Sequence, residues 1–305
     1  HLVNLFGDVP LILSTKYQQN QSIPRSSEEE VYNQIINDLN ASKDSLDKNY
    51  PSDERAQPNK YTAEALLARV YLYNHDWADA EKESSAIISS GIYSISPDLN
   101  SVFLSNSNET IWQLKPTTPY ADTWEGYDII PYSDQSSPTY LITNDLINSF
   151  EPGDARLSAW TKSENFSNQI VFYPYKYKVN FPPPDNEYYV VFRLAEQYLI
   201  RAEARANQNN LMEAESDVNV IRNRAGLGNI TTSDKDSLLN AIAHERRIEL
   251  FAEWGHRWFD LKRTGQAEQV LKQLKPDTWQ ATDTLWPIPQ SQLLLNSALT
   301  QNPGY

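Results

Sequence analysis

The sequence predicts a mainly α protein: tetratricopeptide-like helix pairs form a scaffold, and a loop-rich, aromatic-rich insertion carrying short strands interrupts it. Three observations lead there. Segments 61–91 and 198–226 each read as a helical hairpin with alanines twelve residues apart, Ala68 and Ala80 in the first, Ala202 and Ala214 in the second. Small residues at those offsets let paired helices approach closely, which is the tetratricopeptide spacing. Between the hairpins the texture changes, with 18 aromatics in the 90 positions of 103–192 among many Asn, Asp, Ser, Thr and Pro. A charged stretch over 244–265 then reads as helix, its apolar arc including Leu239 and Ile242.

Taken in order, residues 1–13 are apolar, and the Gly7-Asp8-Val9-Pro10 interruption ends any helix there. Residues 26–46 start a helix well, with serines for the cap, glutamates in the first turn, and Val31, Ile35, Ile36 and Leu39 on one face. The hairpin of 61–91 closes at Gly91. In the insertion, "TIWQL", "QIVFY" and "YYVVF" read as short strands among turn signals such as "KPTTPY", "EPGD" and "NFPPPDN". The scaffold is expected over 26–91 and 192–265, the insertion over about 100–190, and a tail over 266–305.

Composition narrows the functions. The chain of 305 residues has 40% hydrophobic residues, no cysteine and four histidines, and its net charge is −14. A surface that acidic repels phosphate backbones, so nucleic acid is excluded as a partner. Without cysteine there are no disulfides, thiolate metal sites or cysteine nucleophiles. No apolar run approaches the length of a membrane span. The first residue is a histidine, which reads as a processed or truncated edge.

Chemical motifs fail one by one. "HERRI" (244–248) nearly spells the zinc-protease pattern H-E-x-x-H, but Ile248 stands where the second imidazole is needed. "GLGN" (226–229) lacks the strand and the third glycine of a phosphate loop, and no G-x-S-x-G elbow occurs. No spacing supports a calcium loop, so neither cofactor nor metal is expected. Asp122, Glu125, Asp128, Glu151 and Asp154 lie near aromatics as carboxylates of a glycosidase cleft would, although their separation in space is what decides that.

The stretch "HERRIELFAEWGHRWFDLKRTG" (244–265) places Arg246 and Arg247 within an apolar helical arc. Glu245, Glu249 and Glu253 follow one another at i,i+4 and repel unless cations cancel them. Arg246 can serve Glu249, and Arg201, Arg205 or Arg257 can approach from elsewhere. Arg246, Arg247, Glu249, Glu253 and Trp258 are therefore read as structural, fixing the register of packed helices. Trp77, Trp254 and Tyr71, on helix faces, are expected in the core together with Trp258.

These residues also carry a resemblance. "ERRIELFAEWGHRWFDLKRTG" resembles the E-R-R-x-E-L-x-x-E-G-x-R-W-F-D-L-x-R-T-G segment of the SusD/RagB family, and "FRLAEQYLIRAEA" (192–204) its R-L-A-E-x-Y-L-x-x-A-E-A helix. The ending "LWPIPQSQLLLNSALTQNPGY" is similar to its L-P-I-P-x-x-E-x-x-x-N-P-x-L-x-Q-N-P-G-Y tail, with Gln292 for the acid and Ser297 for the proline. "LVNLFGDVPLI" and "SFEPGDARLSAW" fit family segments as well. The resemblance implies a SusD-like domain in a surface-exposed outer-membrane lipoprotein. It would bind nutrient oligosaccharides without catalysis and deliver them to a SusC-type TonB-dependent transporter. Family members carry more chain before "FGDVPL", including a lipidated cysteine, so the anchor is expected to lie outside this chain.

The family motifs belong to the frame; ligand residues have to be sought in the insertion. Sugar rings stack their C–H faces on aromatics and pair their hydroxyls with polar groups. Segment 119–132, "PYADTWEGYDIIPY", fits best, read as a Pro- and Gly-punctuated loop with Tyr120, Trp124, Tyr127 and Tyr132 beside Asp122, Glu125 and Asp128. Trp160, followed by Lys162, is the second choice. A peptide bound in an open repeat groove is the alternative ligand, and glycoside hydrolysis the weaker alternative function.

Overall fold

The computed structural model describes residues 1–117, 121–132, 138–166, 168–181 and 186–305. In chain order the elements are α1 (Leu2–Phe6), α2 (Tyr17–Asn20), α3 (Glu28–Ser45), α4 (Lys60–Tyr73), α5 (Trp77–Ile88), β1 (Thr110–Leu114), α6 (Trp124–Ile129), α7 (Asn144–Ile147) and α8 (Ala155–Trp160). They continue with β2 (Thr161–Phe166), β3 (Gln169–Pro174), β4 (Tyr189–Arg193), α9 (Leu194–Asn207), α10 (Leu211–Arg224), α11 (Lys235–Glu249), α12 (His256–Arg263), α13 (Ala267–Leu274) and α14 (Gln290–Leu295). The fold is mainly α with two short antiparallel strand pairs, β1 with β4 and β2 with β3.

Two compact units emerge, residues 39–254 and residues 1–38 with 255–305. In the smaller unit Arg25 ties the first segment to the last. Its guanidinium donates to the carbonyls of Asp8 (2.7 Å), Phe6 (2.9 Å) and Thr300 (3.0 Å) and to Asn302 Oδ1 (2.6 Å). Trp286 donates its backbone N–H to the Leu5 carbonyl at 2.7 Å and sets its ring edge-on to Phe6. Trp258 is half-buried edge-on to Trp279, with centroids 6.3 Å apart.

In the larger unit the repeat pairs form where the alanine spacing places them. Ala68 of α4, Ala80 of α5, Ala202 of α9 and Ala214 of α10 are all fully buried, and α4 packs on α5, α5 on α9, and α9 on α10 and α11. Local chemistry starts these helices. Asn59 caps α4 in a box with Thr62, accepting its N–H at 3.1 Å, and Asp234 caps α11 through the Ser237 N–H at 2.8 Å. Buried residues lie on every face of α4 and nearly every face of α9. The repeat therefore offers no open groove along these two helices, which weighs against a peptide laid on them.

Glu245 and Glu249 of α11, with Glu253 beyond the helix end, gather cations from distant segments. Glu249, fully buried, accepts from Arg193 at 2.5 Å, from Arg156 at 2.9 Å and from Arg224. Glu253 accepts from Arg193 at 2.8 and 2.9 Å and from Lys176 at 2.5 Å, and Glu245 accepts from Arg156 at 2.5 Å. Asp154 and Glu109 complete the set on Arg156 and Arg193. Arg156 and Lys176 come from the insertion, Arg193 from the β4–α9 junction and Arg224 from the end of α10, so this network is where insertion and helices lock together. Arg201 and Arg205 go instead to Asp217 and Glu81 within the repeat. Arg246 is buried near Glu203 of α9 at 3.9 Å, and Arg247 pairs with Asp145.

Burial pushes the Glu249 carboxyl up, but Arg224, Arg193 and Arg156 together pull it well below the usual carboxylate range. Burial, helped by the nearby Arg193 charge, pushes the Lys176 ammonium down to about 8 although Glu253 and Glu249 oppose the shift. Such a network adds little net stability over an apolar core of equal shape, yet losing one member is expensive.

Candidate functional site

Segment 121–129 is built as a buried root with an exposed helix. Ala121, Asp122 and Thr123 are buried, and Thr123 caps α6 by accepting the Gly126 N–H at 3.0 Å. A Cβ added at Gly126 would stand 2.1 Å from the Val179 carbonyl oxygen, so only glycine lets α6 lie this close to that backbone. The expected loop is thus a short helix over 124–129, and its geometry turns Trp124 outward, 51% exposed. The Trp124 N–H donates to the Tyr189 hydroxyl at 2.6 Å. Tyr127 is exposed and meets the Trp124 ring edge-on, with centroids 5.4 Å apart.

Beside α6 lies a cleft of about 600 Å³ within the larger unit. Trp124, Glu125 and Asp128 of α6 line it together with Leu114 at the end of β1, Tyr189 at the start of β4, Lys115, Tyr140 and Trp254. Leu114 and Tyr189 are partners in the antiparallel β1–β4 ladder, so one strand pair delivers both to the cleft. Tyr132 is exposed but does not line the cleft, and Tyr120 lies outside the described residues.

Trp254 corrects the reading that placed it in the core. It is 38% exposed, lines the cleft and donates its indole N–H to the Val190 carbonyl at 2.7 Å. Its φ of 41° lies in the left-handed region, as does that of Ala252 (55°), a conformation costing a non-glycine residue about 1 kcal/mol. That turn lets neighbours face opposite ways, Glu253 into the buried network and Trp254 into the cleft. A signal existed: "EWG" has one residue more than the E-G of the family pattern, and Trp254 is the extra one.

Two other expectations are overturned. Trp160 is fully buried, donating its indole N–H to the Leu99 carbonyl at 2.9 Å beneath Phe103 and Lys176. No face of it remains for a ligand. Asp122 is 1% exposed, and its Oδ2 accepts the backbone N–H groups of Asn186 and Glu187 at 3.1 and 3.2 Å. It pins the chain rather than meeting a ligand, because a buried carboxylate in a turn-rich segment satisfies backbone donors first.

Among the described residues, two carboxylates and one cation line the cleft. Glu125 Oε2 is sealed from solvent with no hydrogen-bond partner among the described residues, and burial, aided by nearby Asp128, raises the Glu125 carboxyl above its usual value. Asp128 is exposed. The lining cation, Lys115, is already engaged by Glu54 at 2.6 Å. Glu125 and Asp128 sit three residues apart on one helix, hence on one side of any bound chain. Glycoside hydrolysis instead needs carboxyls flanking the scissile bond. Glu151 and Asp154 are tied up by Arg222 and Arg156.

Comparison with known proteins now decides the family, because the SusD family model matches residues 17–305. The chain belongs to the SusD family. A SusD-like protein of Formosa agariphila, P2, is 30% identical over 364 aligned residues that take in all of this chain and 71% of that protein. A SusD superfamily protein from Bacteroides vulgatus superposes with a TM-score of 0.82 at 27% identity, covering all of this chain and 74% of the other. A laminarin-binding SusD-like protein shares the fold with a TM-score of 0.82 at 24% identity, again over all of this chain and 75% of its own. The helical frame of this SusD-family chain is thus common ground, and the cleft is formed largely by its insertion.

Proposed function

We propose that this SusD-family protein captures oligosaccharides at the cell surface, without turning them over, and hands them to a SusC-type TonB-dependent transporter of the outer membrane. Family membership supports the role, and the laminarin-binding relative supports the ligand class. The observation that carries it is the pair of exposed indoles, Trp124 and Trp254, lining one cleft with Tyr140, Glu125 and Asp128. Pyranose rings offer apolar C–H faces to such rings and hydroxyl donors to such carboxylates. The placement of both carboxylates on one helix favours binding over hydrolysis.

Covering about 80 Å² of indole face stabilises a complex by ~2 kcal/mol, a factor of about 30 in affinity. Affinity electrophoresis through gels of individual polysaccharides tests this. At least one polymer is expected to retard the wild-type protein, with Trp124→Ala and Trp254→Ala each relieving most of the retardation. The melting temperature should hold for Trp124→Ala and fall modestly for Trp254→Ala, which loses its bond to the Val190 carbonyl. Free migration of the wild-type protein through a broad panel would refute the glycan reading.

A further inference from the structure

We infer that the cleft selects oligosaccharides free of acidic groups, with Glu125 and Asp128 as the residues that exclude uronate- and sulfate-bearing chains. This rests on the glycan reading above and names the ligand class of the same site. Two carboxylates and one cation line the cleft, and the cation, Lys115, already has its counter-charge in Glu54. The sealed oxygen of Glu125 has no hydrogen-bond partner among the described residues.

The insertion's other cations do not line the cleft. Arg156 and Lys176 are buried in the charge network, Lys178 donates to the carbonyls of Ala159 (2.6 Å) and Tyr175 (3.0 Å), and Lys162 sits 5.2 Å from the centre of the Tyr175 ring. Segments 118–120, 133–137 and 182–185 contribute no Lys, Arg or His by sequence, and they include Asp134 and Asp185. The whole chain adds its net charge of −14. A sulfate or uronate seated against Trp124 and Trp254 therefore meets the like charges of Glu125 and Asp128, while the cation lining the cleft among the described residues, Lys115, is shared with Glu54. An uncharged ring meets the same indoles without that repulsion.

The test is affinity electrophoresis and titration calorimetry on the wild-type protein, Asp128→Asn and the double variant Glu125→Gln/Asp128→Asn. The probes are uncharged polymers (a β-glucan, starch, a mannan) and acidic ones (alginate, polygalacturonate, a carrageenan). Asp128 is exposed and both substitutions keep side-chain shape, so folding is expected to survive, checked by melting. The wild-type protein should bind an uncharged polymer and bind every acidic polymer at least about tenfold more weakly. The double variant should narrow that gap about tenfold, with Asp128→Asn between.

An acidic polymer that binds wild-type protein as tightly as any uncharged one, is lost with Trp124→Ala and gains nothing in the double variant would overturn the inference and leave glycan capture standing. Failure to bind any polymer, charged or not, would overturn the glycan reading and this inference with it.

Discussion

Replacing Glu249 by Gln tests whether the buried charge network holds the insertion to the helices. The fully buried Glu249 carboxylate is hydrogen-bonded by Arg156, Arg193 and Arg224, whose side chains are themselves at most 2% exposed. The amide keeps the volume but removes the charge and turns an NH₂ toward guanidiniums that can only donate. Breaking a buried pair in this way costs about 3–5 kcal/mol, since uncompensated charge stays behind. For a unit of this size, residues 39–254, each kcal/mol moves the melting temperature by about 2–4 °C, so a fall of about 6–20 °C is expected by calorimetry. The pH dependence carries the sign. The folded Glu249 carboxyl lies below its unfolded value of about 4.3, so its stabilisation is fully present above that pH and is lost as pH falls below it. The gap between wild-type and Glu249→Gln melting temperatures should therefore shrink below about pH 4.3. A fall of less than about 3 °C at pH 7, or a gap independent of pH, would refute the reasoning.

Two further substitutions separate frame from site. Gly126→Ala must push α6 away from the Val179 carbonyl by roughly 1 Å to restore an ordinary contact, so calorimetry should register a loss of glycan affinity of about tenfold or more, with a modest stability loss of ~1–3 kcal/mol by denaturant titration. Trp160→Ala should do the reverse, costing about 3–5 kcal/mol in the same denaturation assay while the folded fraction binds polysaccharide unchanged, because that ring is walled in by Leu99, Phe103 and Lys176.

Much of the frame was legible in the sequence because helix pairing leaves a periodic trace. The alanines at 68, 80, 202 and 214 are all fully buried, and the strands read at "TIWQL", "QIVFY" and "YYVVF" form. The stripe Glu245, Glu249, Glu253 announced that cations had to come, since like charges one turn apart cannot be buried alone. Which cations came was a tertiary matter. Arg201 and Arg205, two of the cations expected to approach, were taken by Asp217, and the gap was filled from the insertion and from the ends of β4 and α10.

The site divides the same way. An aromatic-rich, turn-punctuated insertion marks where a ligand surface belongs, and composition alone pointed to segment 119–132. Exposure of a particular ring depends on what packs over it from far along the chain. Trp124 and Trp160 have similar local surroundings, yet Leu99 and Phe103 close over one while a glycine-permitted approach to Val179 turns the other outward. Trp254 reaches the cleft through a left-handed backbone that helical periodicity cannot foresee, and Leu114 meets Tyr189 only because two strands far apart in sequence pair. Residue types and their spacing determined the scaffold, its charge requirement and the region in which a site was sought, because those follow from local geometry. The tertiary fold decided which aromatics and carboxylates face the cleft, because burial depends on contacts between segments distant in sequence.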